Sequence, residues 1–450
     1  MIDYKKYIEN NKDYAIEVLK NLVSFKSVLD EYKENSFSPF GEGNKKALEY
    51  MMQLGQNDGF VTKNIDNYAM HIEYGDGEEI LGILGHLDVV PVNANDWNSD
   101  PFTLTYKDKK FYARGSIDDK GPVVASYIAL KILKDIGFKP NKKIRLILGC
   151  DEESGSRCLQ RYFKHEPKPS IGFSPDAEFP LIYGEKAMMS YDILGKDYDS
   201  IISEFSAGDR YNIVPAIAKM KLKKDLKNEY LEFLKRNNYH GEVKGDEYIA
   251  YGLASHAMCP DKGINAIFIL FKFLQEFDNS QLVKFMNKYF VDDTLGLKIG
   301  YNYYDEDMKE LTSNLAIFNL KDNNFKLGVN CRIPLDSLFT VIEDCLKRIT
   351  KEFNYSYNIL STSLRHFVDP NSYLVKTLMS VYQSVTNDYK NPPVTIGGGT
   401  YARELSNAVA FGPLFVGRED VCHIANEYIN EDDFYKAIEI YLLAIYKLCS

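Results

Sequence analysis

Short apolar runs and amphipathic stretches alternate through the first third of the chain. The short runs Ile80–Leu84, Ile144–Leu148 (apolar but for Arg145) and Ile171–Phe173 show no regular alternation, which predicts buried strands. Between them, residues 120–136 place Val123, Tyr127, Leu130 and Leu133 on one helical face and stop at Gly137. A second amphipathic helix is predicted over about 44–56. Strands alternating with helices predict an α/β unit built on a mostly parallel sheet with both faces covered.

The middle third breaks this rhythm. It holds strand-like stretches such as Lys326–Ile333, helical stretches over 264–277 and 338–353, and many charges. It is expected to be a second, α+β domain inserted into the first, which divides the chain into 1–183, 184–366 and 367–450. The last segment returns to the first style. A helix is predicted over about 372–385, a turn at Gly397–Gly399, a strand at Leu414–Val416 and a closing helix from about Glu431.

Composition removes several classes. Of the 450 residues, 45% are hydrophobic and 26% charged, and the formal net charge is −10. That balance argues against a nucleic-acid or anionic-membrane partner, which needs clustered Lys and Arg. No apolar run approaches the ~20 residues of a membrane span, and the opening MIDYKKYIEN has no signal-peptide pattern. The seven cysteines are scattered, with no CxxC pair, as expected of reduced thiols in a cytoplasmic protein.

Candidate chemistry collects at the predicted strand ends. His86 and Asp88 follow the first run in GILGHLDVVPV. Glu152 and Glu153 follow the second in LILGCDEESGS, and Asp176 follows the third in GFSPDAE. His423 follows the predicted strand Leu414–Val416, and Asp118 precedes a helix in YARGSIDDKGP. Ligands of open α/β sheets bind beyond the carboxyl ends of the strands. Each piece has an ordinary explanation: a structural histidine, acids suited to a helix N-terminus, an N-cap aspartate. Together they would crowd one crevice with negative charge, which calls for a cation.

The motifs GHLDVVPV, YARGSIDDKGP, CDEESGS and SPDAEFP, in that order, resemble those of metallopeptidase family M20, and its dipeptidase V (carnosinase-like) branch in particular. The resemblance continues through NIVPAIA, GLASHAMCPDKGINA, VNCRIP and GGGTYARE. It implies a catalytic domain with an inserted lid domain. It implies two divalent metal ions, zinc or manganese, with Asp118 bridging them, His86 and Asp176 completing one and Glu153 and His423 the other. Glu152 would be the general base, Asp88 would orient His86, and the peptide between Asp118 and Asp119 would be cis. On the lid, His256 would polarise the scissile carbonyl, and Arg332 and Asn212 would hold the substrate's terminal carboxylate. Gly398, Thr400 and Tyr401 would form a substrate-binding loop.

The implied reaction is hydrolysis of a dipeptide by a metal-bridging water whose proton Glu152 removes. The large insertion implies an active monomer. Two alternatives share the fold: an N-acyl amino acid deacylase or desuccinylase, and a non-catalytic peptide-binding protein. An unligated carboxylate beside the metals, at Glu152, speaks against the second.

Overall fold

The computed structural model describes residues 4–450; residues 1–3, part of the N-terminal segment considered above, lie outside it. The chain forms two compact units. Among the described residues, unit 1 comprises 4–183, 367–394 and 399–450, and unit 2 comprises 184–366 with 395–398.

The centre of unit 1 is four parallel strands, Lys143–Gly149, Ile80–His86, Ile171–Ser174 and Ala408–Ala410, adjacent in that order. Every residue of Ile80–His86 is buried, so its apolar run has no polar alternation to show. Antiparallel strands flank this centre. Ala69–Tyr74 pairs with Lys143–Gly149 and in turn with Val61–Ile65, and Ala410 pairs with Ile182 on the other side. Helix Lys120–Asp135 buries nearly its whole length. It packs on strand Ile80–His86 and against helices Tyr4–Val23 and Glu431–Leu448. Helices Glu42–Asn57 and Arg157–Tyr162 pack on strand Ala69–Tyr74.

Unit 2 is an eight-stranded antiparallel sheet. Its middle strands are Ile202–Ala207, Thr312–Lys321, Asn324–Ile333 and Ala187–Lys196. Helix Leu338–Phe353 buries Leu338, Ile342, Leu346 and Ile349, a 4-4-3 spacing that makes one apolar stripe. It ends at Asn354, whose φ of 58° caps the last turn in the left-handed region. Helix Ala266–Phe277 buries apolar residues all round and stacks Phe271 on Phe205. Among the described residues, no helix is long and apolar enough to cross a membrane.

Candidate metal centre

Three of the four parallel strands of unit 1 lead into the candidate residues. Their carboxyl ends carry His86, the pair Glu152 and Glu153, and Asp176. Asp118 arrives from the turn ahead of helix Lys120–Asp135, and its peptide to Asp119 is cis. His423 departs from the sequence expectation. The strand ahead of it is Pro413–Leu414, which pairs with Ala177–Glu178 in a separate two-stranded sheet. The chain turns at Gly417, with φ 82°, so Val416 cannot extend that strand. His423 therefore rides on a loop, with a left-handed φ of 65° and its side chain 52% exposed.

Two groups of three side chains result, His86–Asp118–Asp176 and Asp118–Glu153–His423, with the candidate ligand atoms of each within 4.8 Å of one another. Asp118 belongs to both and splits its carboxylate. Its Oδ1 lies 3.0 Å from His86 Nε2 and its Oδ2 2.8 Å from His423 Nε2. Asp176 Oδ2 is 3.5 Å from His86 Nε2, and Glu153 Oε1 is 3.1 Å from His423 Nε2.

The His86 tautomer follows from its other nitrogen. Nδ1 lies 2.9 Å from the backbone carbonyl of Asp88, and a carbonyl only accepts, so Nδ1–H donates. In the neutral ring Nε2 then carries a lone pair. That atom is buried and makes no hydrogen bond of ordinary geometry, although two carboxylate oxygens stand beside it. Lone pairs converging with no hydrogen between them repel unless a cation or a proton sits among them. Two imidazoles and three carboxylates fit a divalent ion of borderline hardness such as zinc or manganese.

The titration behaviour expresses the same excess of negative charge. Burial, then the Asp176 carboxylate, pushes Glu152 well above the usual carboxylate range, with Glu153 and Asp88 adding to it. Glu153 is pushed up to about 7 by burial and then by Asp118. Burial opposes charge on the histidines, yet the surrounding carboxylates outweigh it. His86 is raised by Asp176, Asp118 and Asp88, and His423 is raised to about 11 by Asp118 and Glu153. Asp118 is the exception among the acids: burial would raise it, but its two histidine contacts hold it below the usual range.

Glu152 belongs to neither group and is close enough to feel the charge of Asp176 and His86 in one and Glu153 in the other. Asp88 does more than its sequence position suggests. Its carboxylate is 3.5 Å from His86 Nδ1, and it also accepts the backbone N–H of Glu152 at 3.2 Å and of Glu153 at 3.1 Å. It fixes the step of chain that carries both glutamates. Asp119 likewise accepts the backbone N–H of His86 at 3.0 Å.

The expected substrate loop divides. Thr400 is buried, and its hydroxyl accepts the Ala402 N–H at 3.1 Å. Tyr401 is fully buried. Its hydroxyl meets Cys158 Sγ at 2.8 Å, and its ring stands edge-on to His86 with centroids 6.1 Å apart. It backs the His86 imidazole. Sequence could not show this, because a Tyr after a glycine turn reads equally well as exposed. The space for it comes from Gly149, where a β-carbon would lie 2.4 Å from the Tyr401 hydroxyl oxygen.

The remaining residues lie in unit 2. His256 is half-buried, and its Nδ1 accepts the Met258 N–H at 3.2 Å, which puts the proton of the neutral ring on Nε2. The next residue ties it to Asn212: Ala257 N–H donates to the Asn212 carbonyl at 2.8 Å. Arg332 is buried and donates to Asn330 Oδ1 at 2.7 Å and to the Gly397 carbonyl at 2.9 Å. That second bond brings the turn containing Gly398 to the Arg332 strand.

The family model described as Peptidase family M20/M25/M40 matches residues 82–447. A provisionally named dipeptidase of Staphylococcus aureus (strain MW2) is 38% identical over 467 residues, covering 99% of this chain and 99% of its own length. Among solved structures, human carnosine dipeptidase 1 has a TM-score of 0.60 at 15% identity, over 98% of each chain. Aminoacylhistidine dipeptidase from Vibrio alginolyticus has a TM-score of 0.58 at 14% identity, over 97% of this chain and 96% of its own. At these identities the two solved structures are like this chain in fold.

Proposed function

The chain belongs to peptidase family M20/M25/M40, and from that premise we propose that it hydrolyses dipeptides at a centre of two divalent metal ions, zinc or manganese. The observation that carries this is the pair of ligand groups sharing Asp118, with Glu152 in neither but within reach of the charge of both. His86 and Asp176 would hold one ion, Glu153 and His423 the other, and Asp118 would serve both. When bound, the ions supply the positive charge that acidifies a water and polarises a carbonyl.

The chain's own groups then divide the work. Glu152 is the general base. Burial and its acidic neighbours raise its proton affinity, as suits a group that must take a proton from water near neutral pH and return it to the leaving amine. Asp88 sets the direction of that carboxylate by holding the Glu152 and Glu153 amides, because a base placed an ångström away loses much of its effect. His256 donates from Nε2 to the scissile carbonyl oxygen, where charge develops. Arg332 and Asn212 hold the terminal carboxylate and limit the leaving side to one residue, and Gly398 and Thr400 shape the backbone around the substrate. His256 serves its own chain, and the monomer is the active form. The ordinary setting of such an enzyme, with free cysteines and a small peptide as its only partner, is the cytoplasm.

Chelation followed by reconstitution tests this reading. Chelated enzyme should be inactive on a panel of dipeptides, tripeptides and N-acyl amino acids. Added zinc or manganese should restore hydrolysis, with dipeptides preferred. Full activity without metal overturns the two-ion centre, and a preference for N-acyl amino acids overturns the dipeptide assignment.

A further inference from the structure

Glu427 lies outside both ligand groups, yet it joins the segments that supply two of the ligands. It is fully buried. Its Oε2 accepts from Arg114 Nη1 at 2.5 Å, and its Oε1 accepts the backbone N–H of Ile117 at 3.0 Å and of Asp118 at 3.3 Å. Its own carbonyl accepts the Ala113 N–H at 3.2 Å. The turn from Ala113 to Asp118 is thus wrapped around one carboxylate. Immediately beyond, Tyr428 pairs with Tyr112 and Ile429 with Phe111. Four residues upstream is His423, on a loop where both His423 and Asn426 have left-handed backbones.

A fully buried ion pair is weak evidence of a need for stability, because an apolar pair of similar volume often serves as well. What an apolar residue could not do is hold the two amides that aim Asp118. We propose that Glu427, held by Arg114, is a positioning residue that sets the separation of Asp118 from His423, and thereby the affinity of the Glu153–His423 side for its metal ion. This rests on the two-ion reading above. His423 is the most exposed ligand and sits on a loop, so its place depends on such an anchor more than that of His86, which is fixed in a sheet strand.

The test measures metal binding, with folding followed in parallel. Wild-type chain, Glu427→Gln and the double variant Arg114→Met/Glu427→Leu are loaded with manganese or zinc and titrated against a competing chelator, and their melting temperatures are recorded. Wild type should hold two ions. Glu427→Gln should keep one near wild-type affinity and bind the other about 10–100-fold more weakly, the usual effect of removing a residue that orients a ligand. The double variant leaves no unpaired buried charge. It should melt closer to wild type yet show the same one-ion defect, and it decides the matter if Glu427→Gln does not fold. Two ions bound as in wild type by a variant that only melts earlier makes Glu427 structural and overturns the proposal, as does an equal loss of both ions. Fewer than two ions in wild type overturns the two-ion reading itself.

Discussion

Lowering pH should destabilise unit 1 through His71, which lies outside both candidate ligand groups. His71 is buried in strand Ala69–Tyr74, and its Nδ1 lies 2.7 Å from the Tyr162 hydroxyl. The Tyr162 hydroxyl can donate its hydrogen to His71 Nδ1, and protonating that nitrogen would remove the acceptor. Burial, and then the Arg145 guanidinium, lowers the His71 pKa from 6.5 to about 4. The folded state therefore resists a proton that the unfolded state accepts. The stabilisation is complete above about pH 6.5 and is lost as pH falls toward about 4, because there the unfolded state binds more protons. One pKa unit is worth about 1.4 kcal/mol. The full loss is then about 3 kcal/mol, of which about 2 kcal/mol has appeared by pH 5. His71→Phe removes this titration and keeps a ring of similar size. Denaturant unfolding of both proteins at pH 7.5 and pH 5 should show the wild-type stability, relative to the variant, falling by about 2 kcal/mol. Other acid-sensitive groups cancel in that difference. Parallel losses in the two proteins would refute the assignment.

Three further outcomes follow from the candidate centre. Glu152→Gln should lower turnover by about 10²–10⁴-fold while both ions remain, and Glu153→Gln should lose one ion, as metal analysis of the purified variants would show. If Glu152→Gln lost metal instead, the two glutamates have exchanged roles. Arg332→Lys keeps a charge but not the planar fork, so kcat/KM should fall more for a dipeptide than for its amide, and equal losses would make Arg332 structural. Light scattering should find an active monomer, and an obligate dimer whose activity falls on dilution would contradict that.

Part of the candidate centre was legible because three of its segments sit where parallel strands end. The buried runs before His86, Glu152 and Asp176 could be read without any tertiary information, and the structure extends those strands by a residue or two. The helices over 120–135, 338–353 and 431–448 were legible for the same reason, a strong apolar period. What stayed hidden depends on contacts between distant segments. Glu427 is one acid in a polar stretch, and only the fold reveals the amides it accepts. The Asp88 carboxylate reaches Glu152 and Glu153 across more than sixty positions. The strand before His423 was misplaced because its partner Ala177–Glu178 is only two residues long, so Leu414 pairs while Phe415 and Val416 lie beyond the strand.

The Gly149–Tyr401 contact also constrains how relatives of this chain can diverge. A β-carbon at position 149 would lie 2.4 Å from the Tyr401 hydroxyl oxygen and 2.8 Å from Cys158 Sγ, and neither can retreat, since both are fully buried. The two positions should therefore change together. A relative with a side chain at 149 must carry something smaller at 401, and it then needs another wall behind the imidazole at 86. In an aligned family, a change at 149 without one at 401 should be rare, and a library randomised at both should recover mainly glycine with tyrosine or a larger residue with a shorter one. A backbone atom in one strand and a ring 252 residues later would thus be inherited as a single unit.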